Sequence, residues 1–392
     1  MRRFLTRTAP TILAVAALAI APTLLATSAH AADATVGDKK VCAKAPAGYA
    51  ECHAHMLTKG AKPFATVTRS GGYISSQLRK AYGLTTDSTA TVAIVDAYRN
   101  PNAASDLAVY RSNTGLPALT AGQFLDYNQN GVQGSYAAGD VGWGQEEMLD
   151  LEMVSAICPG CKILYVGGNS ASFADLGTAV NRAVTLGAKV VSNSYGGSES
   201  SGELSTQNAY YNHPGVAITV SSGDNGYGVE SPAAFSTVTA VGGTHLVLNA
   251  DGSRQSETVW SGAGSGCSSY IAKPSWQHDT SCSRRTVSDV SAVADPNTGV
   301  AVYDSYGSTG GANWMVFGGT SVAAPIIGAV YALSGNTAGN PAQLAYTNKA
   351  GLFDVTSGTN TRRCRAGYLC SGVTGYDGPT GNGTPNGSLA PF

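Results

Sequence analysis

Glu146 and Asp150 are the first residues in the sequence whose type and spacing could do chemistry. The surrounding pattern predicts a helix over 146–157, on which both carboxylates lie within the apolar arc while Glu147 and Glu152 flank it. A lone acid on a helix is usually solvated, and that alternative stays open. Two acids one turn apart that face the core are different. Burial and mutual repulsion raise the pKa of one of them, which suits general acid–base catalysis.

Ser321 is a candidate nucleophile. It follows Gly318 and Gly319, and the apolar residues after it predict a helix that runs to Leu333. Glycines let a backbone approach a substrate closely, and the first turn of a helix favours negative charge. The alternative is an ordinary serine N-cap, which the same position would favour.

Two aspartates lie at the ends of predicted strands. Asp96 ends the run Thr91–Asp96, and Asp224 follows the run Val216–Ser221. Side chains at the carboxyl ends of parallel strands gather where ligands bind. Taken alone, Asp224 in the order Asp-Asn-Gly is also a good turn former.

These residues need a scaffold of alternating strands and helices. The sequence predicts helices over 146–157 and 173–186 and a glycine-rich loop from Gly372 onward; short buried strands are predicted over 91–96, 162–166, 189–192, 216–221 and 238–241. Such alternation is typical of an α/β fold, with a central, mostly parallel twisted sheet and helices on both faces.

Composition excludes several classes of protein. The 392 residues are 43% hydrophobic and only 12% charged, which is the opposite of an intrinsically disordered chain. The balance of 24 basic and 25 acidic residues gives no basic surface, so we expect no nucleic-acid partner.

The N-terminal residues resemble a secretory signal. Arg2, Arg3 and Arg7 precede the apolar run Ile12–Leu25, and Ala29-His30-Ala31 has the small-x-small pattern of a cleavage site. A membrane anchor is the alternative, but the run is short for a spanning helix of about 20 residues. We therefore predict a signal peptide over 1–31 and a secreted, extracellular protein with no membrane contact after cleavage.

The eight cysteines fall into neighbouring pairs, as expected for disulfides in an exported chain. Connectivity cannot be deduced from sequence, so the neighbour pairing is a hypothesis: Cys42–Cys52, Cys158–Cys161, Cys267–Cys282 and Cys364–Cys370. Cys158-Pro159-Gly160-Cys161 would also fit a redox motif or half of a zinc site, and we favour a small structural loop.

A family resemblance emerges from these motifs. The order Gly-Gly-Thr-Ser-x-x-x-Pro around Ser321 resembles the nucleophile segment of the subtilisin-like serine peptidases, but none of the six histidines has the His-Gly-Thr context usual there. Glu146-x-x-Leu149-Asp150 instead resembles the sedolisins, the serine-carboxyl peptidases of family S53. Further matching segments follow in order after Tyr73: Gln77–Tyr82, Ser222–Gly226, Thr258–Trp260, Pro274–Gln277 and Asp289-Val290.

The resemblance implies a subtilisin-like fold and an endopeptidase that hydrolyses protein or peptide substrates at acid pH. Ser321 would be the nucleophile, Glu146 the base that takes its proton, and Asp150 the group that orients Glu146. Asp224 matches the family's oxyanion-stabilising aspartate, a role that requires the protonated acid. Asp96 matches an acid linked to the triad.

The resemblance also implies one structural calcium ion near the C-terminus. Its ligands would be the carboxylates of Asp354 and Asp377 and the carbonyl oxygens of Val355, Val373 and Gly375, and such oxygen ligands suit Ca²⁺. Without the family context, Gly-Tyr-Asp-Gly-Pro around Asp377 is simply strong turn chemistry.

The predicted domains are the signal peptide 1–31, a short segment 32–72 and a catalytic domain 73–392 that includes the calcium loop. The family normally has a long propeptide that blocks the active site. Either the segment 32–72, which holds Cys42 and Cys52, does that task, or the enzyme stays latent in another way. We expect a monomer.

Two other functions compete with the acid peptidase. A catalytically silent relative that acts as a secreted binding protein is disfavoured by the intact set of Glu146, Asp150, Asp224 and Ser321. A neutral serine hydrolase or esterase is disfavoured by the missing histidine.

Overall fold

Strands and helices alternate along most of the chain. The structure is a computed structural model that describes Met1 and residues 36–59, 62–63, 71–307, 313–364 and 366–387. The predicted signal peptide lies outside the described residues except for Met1. The strands in chain order are β1 (Val36–Lys40), β2 (Glu51–Cys52), β3 (His55–Lys59), β4 (Lys62–Pro63), β5 (Thr91–Ala97), β6 (Phe124–Asn128), β7 (Lys162–Gly168), β8 (Val190–Asn193), β9 (Tyr195–Ser198), β10 (Ala217–Ser221), β11 (Glu230–Ser231), β12 (Thr239–Leu248), β13 (Arg254–Val259), β14 (Gly266–Ala272), β15 (Arg284–Val287), β16 (Val290–Val293), β17 (Val300–Tyr303), β18 (Trp314–Gly318), β19 (Leu352–Phe353) and β20 (Thr384–Pro385). The α-helices are α1 (Ser75–Ala81), α2 (Ala103–Thr114), α3 (Val141–Ile157), α4 (Phe173–Thr185), α5 (Glu203–Thr206), α6 (Thr320–Ser334) and α7 (Leu344–Thr347).

The central sheet has the order β13-β12-β10-β8-β5-β7-β6, with β16 paired to β12. All of these pairings are parallel except that of β12 with β13. The carboxyl ends of β5, β8 and β10 therefore meet at one edge of the sheet, where Asp96 and Asp224 lie. The prediction of a mostly parallel α/β sheet is confirmed.

Helices cover both faces of this sheet. Successive side chains of a strand point to opposite faces, and β5 illustrates the result. Val92 and Ile94 join the core that includes residues of α3 and α6. Ala93 and Val95 join a second core that includes residues of α4. The two cores place α3 and α6 together on one face, where they carry the candidate site.

A second sheet is antiparallel and includes residues from the predicted segment 32–72. Its order is β1-β3-β18-β17, with β4 paired to β3. Strand β3 pairs with β18, which leads directly into α6 and Ser321. Residues Val36–Phe392 thus form one compact unit, in which the described part of 32–72 lies against the candidate site.

The strand and helix positions from sequence are close to those observed, with some boundary errors. Helix α3 begins at Val141, five residues before the predicted start, because Asp140 caps it by accepting a hydrogen bond from the Trp143 N–H at 3.0 Å. Strand β12 continues to Leu248 because antiparallel pairing with β13 extends it beyond Val241. The four neighbour disulfides are all present. Among the described residues, no helix combines the length and apolarity needed to cross a membrane.

Candidate active site

Helix α3 holds Glu146 and Asp150 in the interior, one turn apart. Both side chains are completely buried, and so are Glu147 and Glu152, which the helical projection placed at the border of the apolar arc. Residues beside the apolar arc are buried as well because α3 is covered on nearly all sides: Val141 is exposed and Gln145 is partly exposed, whereas all other residues of the helix are buried.

Ser321 is the second residue of α6. Strand β18 ends at Gly318, Gly319 is the N-cap with a φ of 97°, and the helix begins at Thr320. The alternative that Ser321 is an N-cap is therefore wrong. A Cβ on Gly319 would lie 1.8 Å from the His53 carbonyl oxygen and 2.6 Å from Asp224 Oδ2, so this position needs glycine for space as well as for conformation.

Asp224 follows β10 and reaches the beginning of α6. Its Oδ1 accepts hydrogen bonds from the backbone N–H of Thr320 at 2.8 Å and from the Thr320 hydroxyl at 2.7 Å. Its Oδ2 is buried and accepts no hydrogen bond from the described residues, and His55 Nε2 lies 3.4 Å from it, close enough for an ion pair when the ring is protonated. One oxygen is thus fixed, and the other is directed to the space beside Gly319.

Ser194 connects the helix carboxylates to the serine. Its hydroxyl donates to Asp150 Oδ1 at 2.8 Å, and its carbonyl oxygen accepts from the Ser321 hydroxyl at 3.3 Å. Ser194 lies between β8 and β9, at the same sheet edge as Asp224. Residues from α3, α6 and two strand ends therefore meet in one buried site.

Three carboxyl groups at this site, those of Glu146, Asp150 and Asp96, have raised pKa values. Burial raises the pKa of Glu146 well above its ordinary value; the charge of Asp96 adds to the rise, whereas the Ser321 hydroxyl opposes it. Burial, followed by the charges of Asp96 and Glu146, also raises the pKa of Asp150. Burial raises the pKa of Asp96 to about 8. The three carboxyls titrate as a set, so they can keep and exchange protons in the acid range.

The arrangement suits nucleophilic catalysis with proton transfer. The Ser321 hydroxyl is close enough to Glu146 to act on the pKa of that carboxyl. Asp224 Oδ2 could donate a hydrogen bond to a developing oxyanion when it carries a proton. The structure brings together all five acids and hydroxyls that the sequence singled out for catalysis: Asp96, Glu146, Asp150, Asp224 and Ser321.

Several residues of the site were not singled out from sequence. Ala54 donates its backbone N–H to Glu146 Oε2 at 2.9 Å, and His53 contacts Ser221 and Glu230. Ser221 ends β10, so its place at the sheet edge was available from the strand pattern. His53 was considered only as a triad histidine, and its own signal is no more than a polar residue beside the Cys52 pair.

The predicted calcium ligands lie together in the C-terminal loops. Asp377 is fully buried, and its Oδ1 accepts from the Thr380 N–H and hydroxyl, both at 2.8 Å. Asp354 Oδ2 accepts from the Gly375 N–H at 2.8 Å. Burial raises the pKa of Asp377 to about 8, and the charge of Asp354 adds to the rise.

This pair of acids fits a cation. Two neighbouring carboxylates, one of them buried, are disfavoured together unless a positive charge balances them. The carbonyl oxygens of Val355, Val373 and Gly375 accept no hydrogen bond from any described residue, so they are available as ligands. Hard oxygen donors of this kind match Ca²⁺.

Comparisons with known proteins agree with this geometry. A model of the subtilase family matches residues 121–363. Kumamolisin from Bacillus sp. (strain MN-32) is 31% identical over 322 residues, covering 72% of this chain and 56% of kumamolisin. Xanthomonalisin from Xanthomonas sp. (strain T-22) is 27% identical over 428 residues, covering 91% of this chain and 48% of that protein. The chain thus spans about half the length of the curated relatives it matches.

A solved structure extends the similarity to the fold. Pseudomonas sedolisin, a serine-carboxyl proteinase complexed with two molecules of pseudo-iodotyrostatin, matches with a TM-score of 0.68 at 27% identity. The match covers 81% of this chain and 96% of that one. The chain belongs to the subtilase family and, within it, to the sedolisin type.

Proposed function

We propose that this protein is a secreted serine-carboxyl endopeptidase that hydrolyses peptide bonds at acid pH. The observation that carries the proposal is that Ser321, Glu146 and Asp224 lie around one short stretch of backbone, residues 53 and 54. Glu146 accepts the Ala54 N–H there, and Asp224 Oδ2 lies beside Gly319, two residues before Ser321. The similarity to sedolisin-type peptidases supports the same activity.

Each residue would have its own role in the reaction. The Ser321 hydroxyl attacks the carbonyl carbon of the substrate while Glu146 takes its proton. Asp224, protonated, donates a hydrogen bond to the oxyanion, and Glu146 then passes its proton to the leaving nitrogen. Water repeats the sequence on the acyl-enzyme. Asp150, fixed by Ser194, holds Glu146 in place, and Asp96 keeps protons in the carboxyl set.

Acid activity follows from the same groups. Asp224 can donate a hydrogen bond to the oxyanion only while it carries a proton. A peptidase built on imidazole would instead work near neutral pH.

Calcium would be held by Asp354, Asp377 and the carbonyl oxygens of Val355, Val373 and Gly375. The ion would supply positive charge to the buried carboxylate of Asp377 and the exposed carboxylate of Asp354, and its role would be structural. We further propose that residues 1–31 direct secretion, that the protein acts as a monomer on protein or peptide substrates, and that neither nucleic acid nor membrane is a partner.

The test is cleavage of a protein substrate by the purified protein from about pH 3 to pH 8. We expect activity on the acid side, and a loss on the order of 10⁴-fold or more in Ser321→Ala and Glu146→Gln. Ser334→Ala at the other end of α6 and Glu152→Gln on α3 are matched controls that should stay active. Full activity of folded Ser321→Ala would contradict the proposal.

A further inference from the structure

A cavity of about 310 Å³ lies between the β14–β15 loop, α7 and the C-terminal loops. The rings of three tyrosines form its wall: Tyr346, Tyr368 and Tyr376. Three exposed polar residues form its rim: His278, Thr280 and Lys349. Small-molecule pockets cover about 300–1,000 Å³, so this one fits a ligand with a single ring. None of the candidate catalytic residues lines the cavity, which is therefore a separate site.

The three tyrosine hydroxyls are all bound within the protein. Each donates one hydrogen bond, to Asp289 Oδ1 at 2.7 Å from Tyr346, to Asp279 Oδ2 at 2.9 Å from Tyr368 and to the Ser288 carbonyl oxygen at 3.0 Å from Tyr376. Because the hydroxyl protons are already used, the wall offers a ligand ring surface rather than phenolic donors.

The tyrosine rings also pack on one another and on a tryptophan behind them. The ring centroids of Tyr346 and Tyr376 are 5.8 Å apart, and those of Tyr368 and Tyr376 are 6.3 Å apart. Trp276 packs on Tyr346 at 4.8 Å, and the guanidinium of the buried Arg285 lies 5.2 Å from the Trp276 centroid. The wall is thus formed before any ligand enters, which lowers the conformational cost of binding.

The uncompensated charges at the pocket are positive. Asp279 is already balanced, because Lys273 Nζ lies 2.7 Å from Oδ1 and the Thr286 hydroxyl lies 2.9 Å from both carboxylate oxygens. Lys349 and His278 form no hydrogen bond or ion pair with any described residue. An imidazole also carries a positive charge in acid solution. Aromatic rings alone would suit a cation as well, but these charges favour an anion.

We propose that this tyrosine pocket binds an aromatic ring that carries a carboxylate, as in the C-terminal aromatic residue of a peptide or in a free aromatic acid. The ring packs against Tyr346, Tyr368 and Tyr376 in the offset or edge-to-face arrangements that aromatic pairs prefer. The carboxylate pairs with the Lys349 ammonium and the His278 imidazolium at the rim. The inference goes beyond the proposed function and does not depend on it.

The first experiment measures binding by calorimetry to the full-length Ser321→Ala chain, so that no peptide is hydrolysed. At about pH 5 a terminal carboxylate is ionised and an imidazole is protonated. The probes are N-acetyl-L-tyrosine, N-acetyl-L-tyrosinamide, which lacks the charge, and N-acetyl-L-alanine, which lacks the ring. We expect a Kd of about 0.1–1 mM for N-acetyl-L-tyrosine. The amide should bind about three- to tenfold more weakly, and the alanine derivative about tenfold or more.

Equal affinity for N-acetyl-L-tyrosine and its amide would overturn the inference, and so would the absence of binding at about 10 mM. Two further probes distinguish the sources of the ligand: the peptide Ala-Ala-Tyr and 3-(4-hydroxyphenyl)propionate. Tighter binding of the peptide would support a peptide end as the ligand, whereas tighter or equal binding of the propionate would support a free aromatic acid. Binding of neither would contradict the assignment.

The second experiment places the binding at this pocket. Lys349→Gln combined with His278→Gln should weaken N-acetyl-L-tyrosine about three- to tenfold and leave the amide unchanged. Lys162→Gln, at an exposed lysine on β7, is the control. An unchanged affinity of the double variant for N-acetyl-L-tyrosine would place the ligand elsewhere and overturn the inference.

Tyr368→Leu tests the aromatic wall. It should weaken both tyrosine derivatives about tenfold, whereas Tyr270→Leu, at an exposed tyrosine outside the pocket, should weaken neither. The melting temperature of each variant shows whether it is folded. If Tyr368→Leu does not fold, the comparison of N-acetyl-L-tyrosine with N-acetyl-L-alanine in the Ser321→Ala chain decides the role of the rings, and equal affinity for those two would overturn it.

Discussion

Asp224 holds Thr320 with one carboxyl oxygen and leaves the other beside Gly319. Oδ1 accepts both the N–H and the hydroxyl of Thr320, so the orientation of the carboxyl is set by the first residue of α6. Oδ2 lies 2.6 Å from the place of a Cβ on Gly319. Asp224, which fixes the beginning of α6, is thus the residue that we propose contacts the oxyanion.

Asp224→Asn tests that role. The asparagine oxygen can still accept from Thr320, and its amide nitrogen then takes the place of Oδ2 as a donor that does not titrate. We expect the variant to keep part of the activity and to lose less of it than the parent as pH rises. The pH profile of kcat/KM measures this. Asp224→Ala, without a donor, should fall by about 10²–10³-fold, and profiles of identical shape in Asp224→Asn and the parent would contradict the role.

Ser321→Ala combined with Glu146→Gln should be only slightly worse than either single variant. The two residues act on one proton, so removal of either already abolishes the step. Single-turnover rates on a peptide substrate would measure the effect. A double variant whose loss equals the product of two large single losses would show that Glu146 and Ser321 act independently.

Asp96→Asn should stabilise the protein most at neutral pH. Burial raises the pKa of Asp96 to about 8, and neither carboxyl oxygen has a hydrogen-bond partner among the described residues. The folded chain therefore binds this proton more tightly than the unfolded chain. Its stabilising effect is complete below about pH 4 and is lost as pH rises towards 8. Asparagine stays neutral throughout.

We expect the melting temperature of Asp96→Asn to exceed that of the parent by about 3 °C or more at pH 7.5, with a smaller difference at pH 4. Calorimetry at both pH values measures it. Asp251→Asn is the control, because Asp251 is exposed and its pKa is lowered by hydrogen bonds from Ser253. A difference for Asp96→Asn that shrinks as pH rises would contradict the prediction.

Calcium removal should lower the melting temperature. An ion that binds only the folded state at a hundred times its Kd stabilises that state by about 2.7 kcal/mol. Asp377→Ala should remove the response to a chelator, whereas Asp251→Ala, at an exposed turn, should keep it. Thermal unfolding with calcium or with chelator measures the difference. Identical curves for the parent under both conditions would count against the site.

The sequence located the residues of the candidate site better than it located their neighbours. Glu146, Asp150 and Ser321 were found because their spacing and glycine context are local. The mostly parallel sheet and the helices on both faces followed from the alternation of strands and helices. The helical projection did not show that Glu147 and Glu152 are buried, because it carries no information on what covers each side of α3.

The contacts of His53 and Ala54 at the site could not be predicted from the sequence. His53 and Ala54 lie far in sequence from Ser194, Ser221 and Glu230, and their contacts depend on how β3 pairs with β18. Such long-range pairing has no local signal, because nothing in the sequence of one strand names its partner. The family pattern gave no help, since the segment 32–72 falls outside the motifs that carried the resemblance.

Strand β1 pairs with β3 along its whole length, from Val36 with Lys59 to Lys40 with His55. This pairing is intramolecular, so the effective concentration of β1 beside β3 is high and does not change with dilution. Four of the five β1 residues are exposed, so the pairing buries little apolar surface. The connection between the two strands, which the Cys42–Cys52 disulfide shortens, therefore does more than burial to keep β1 in place.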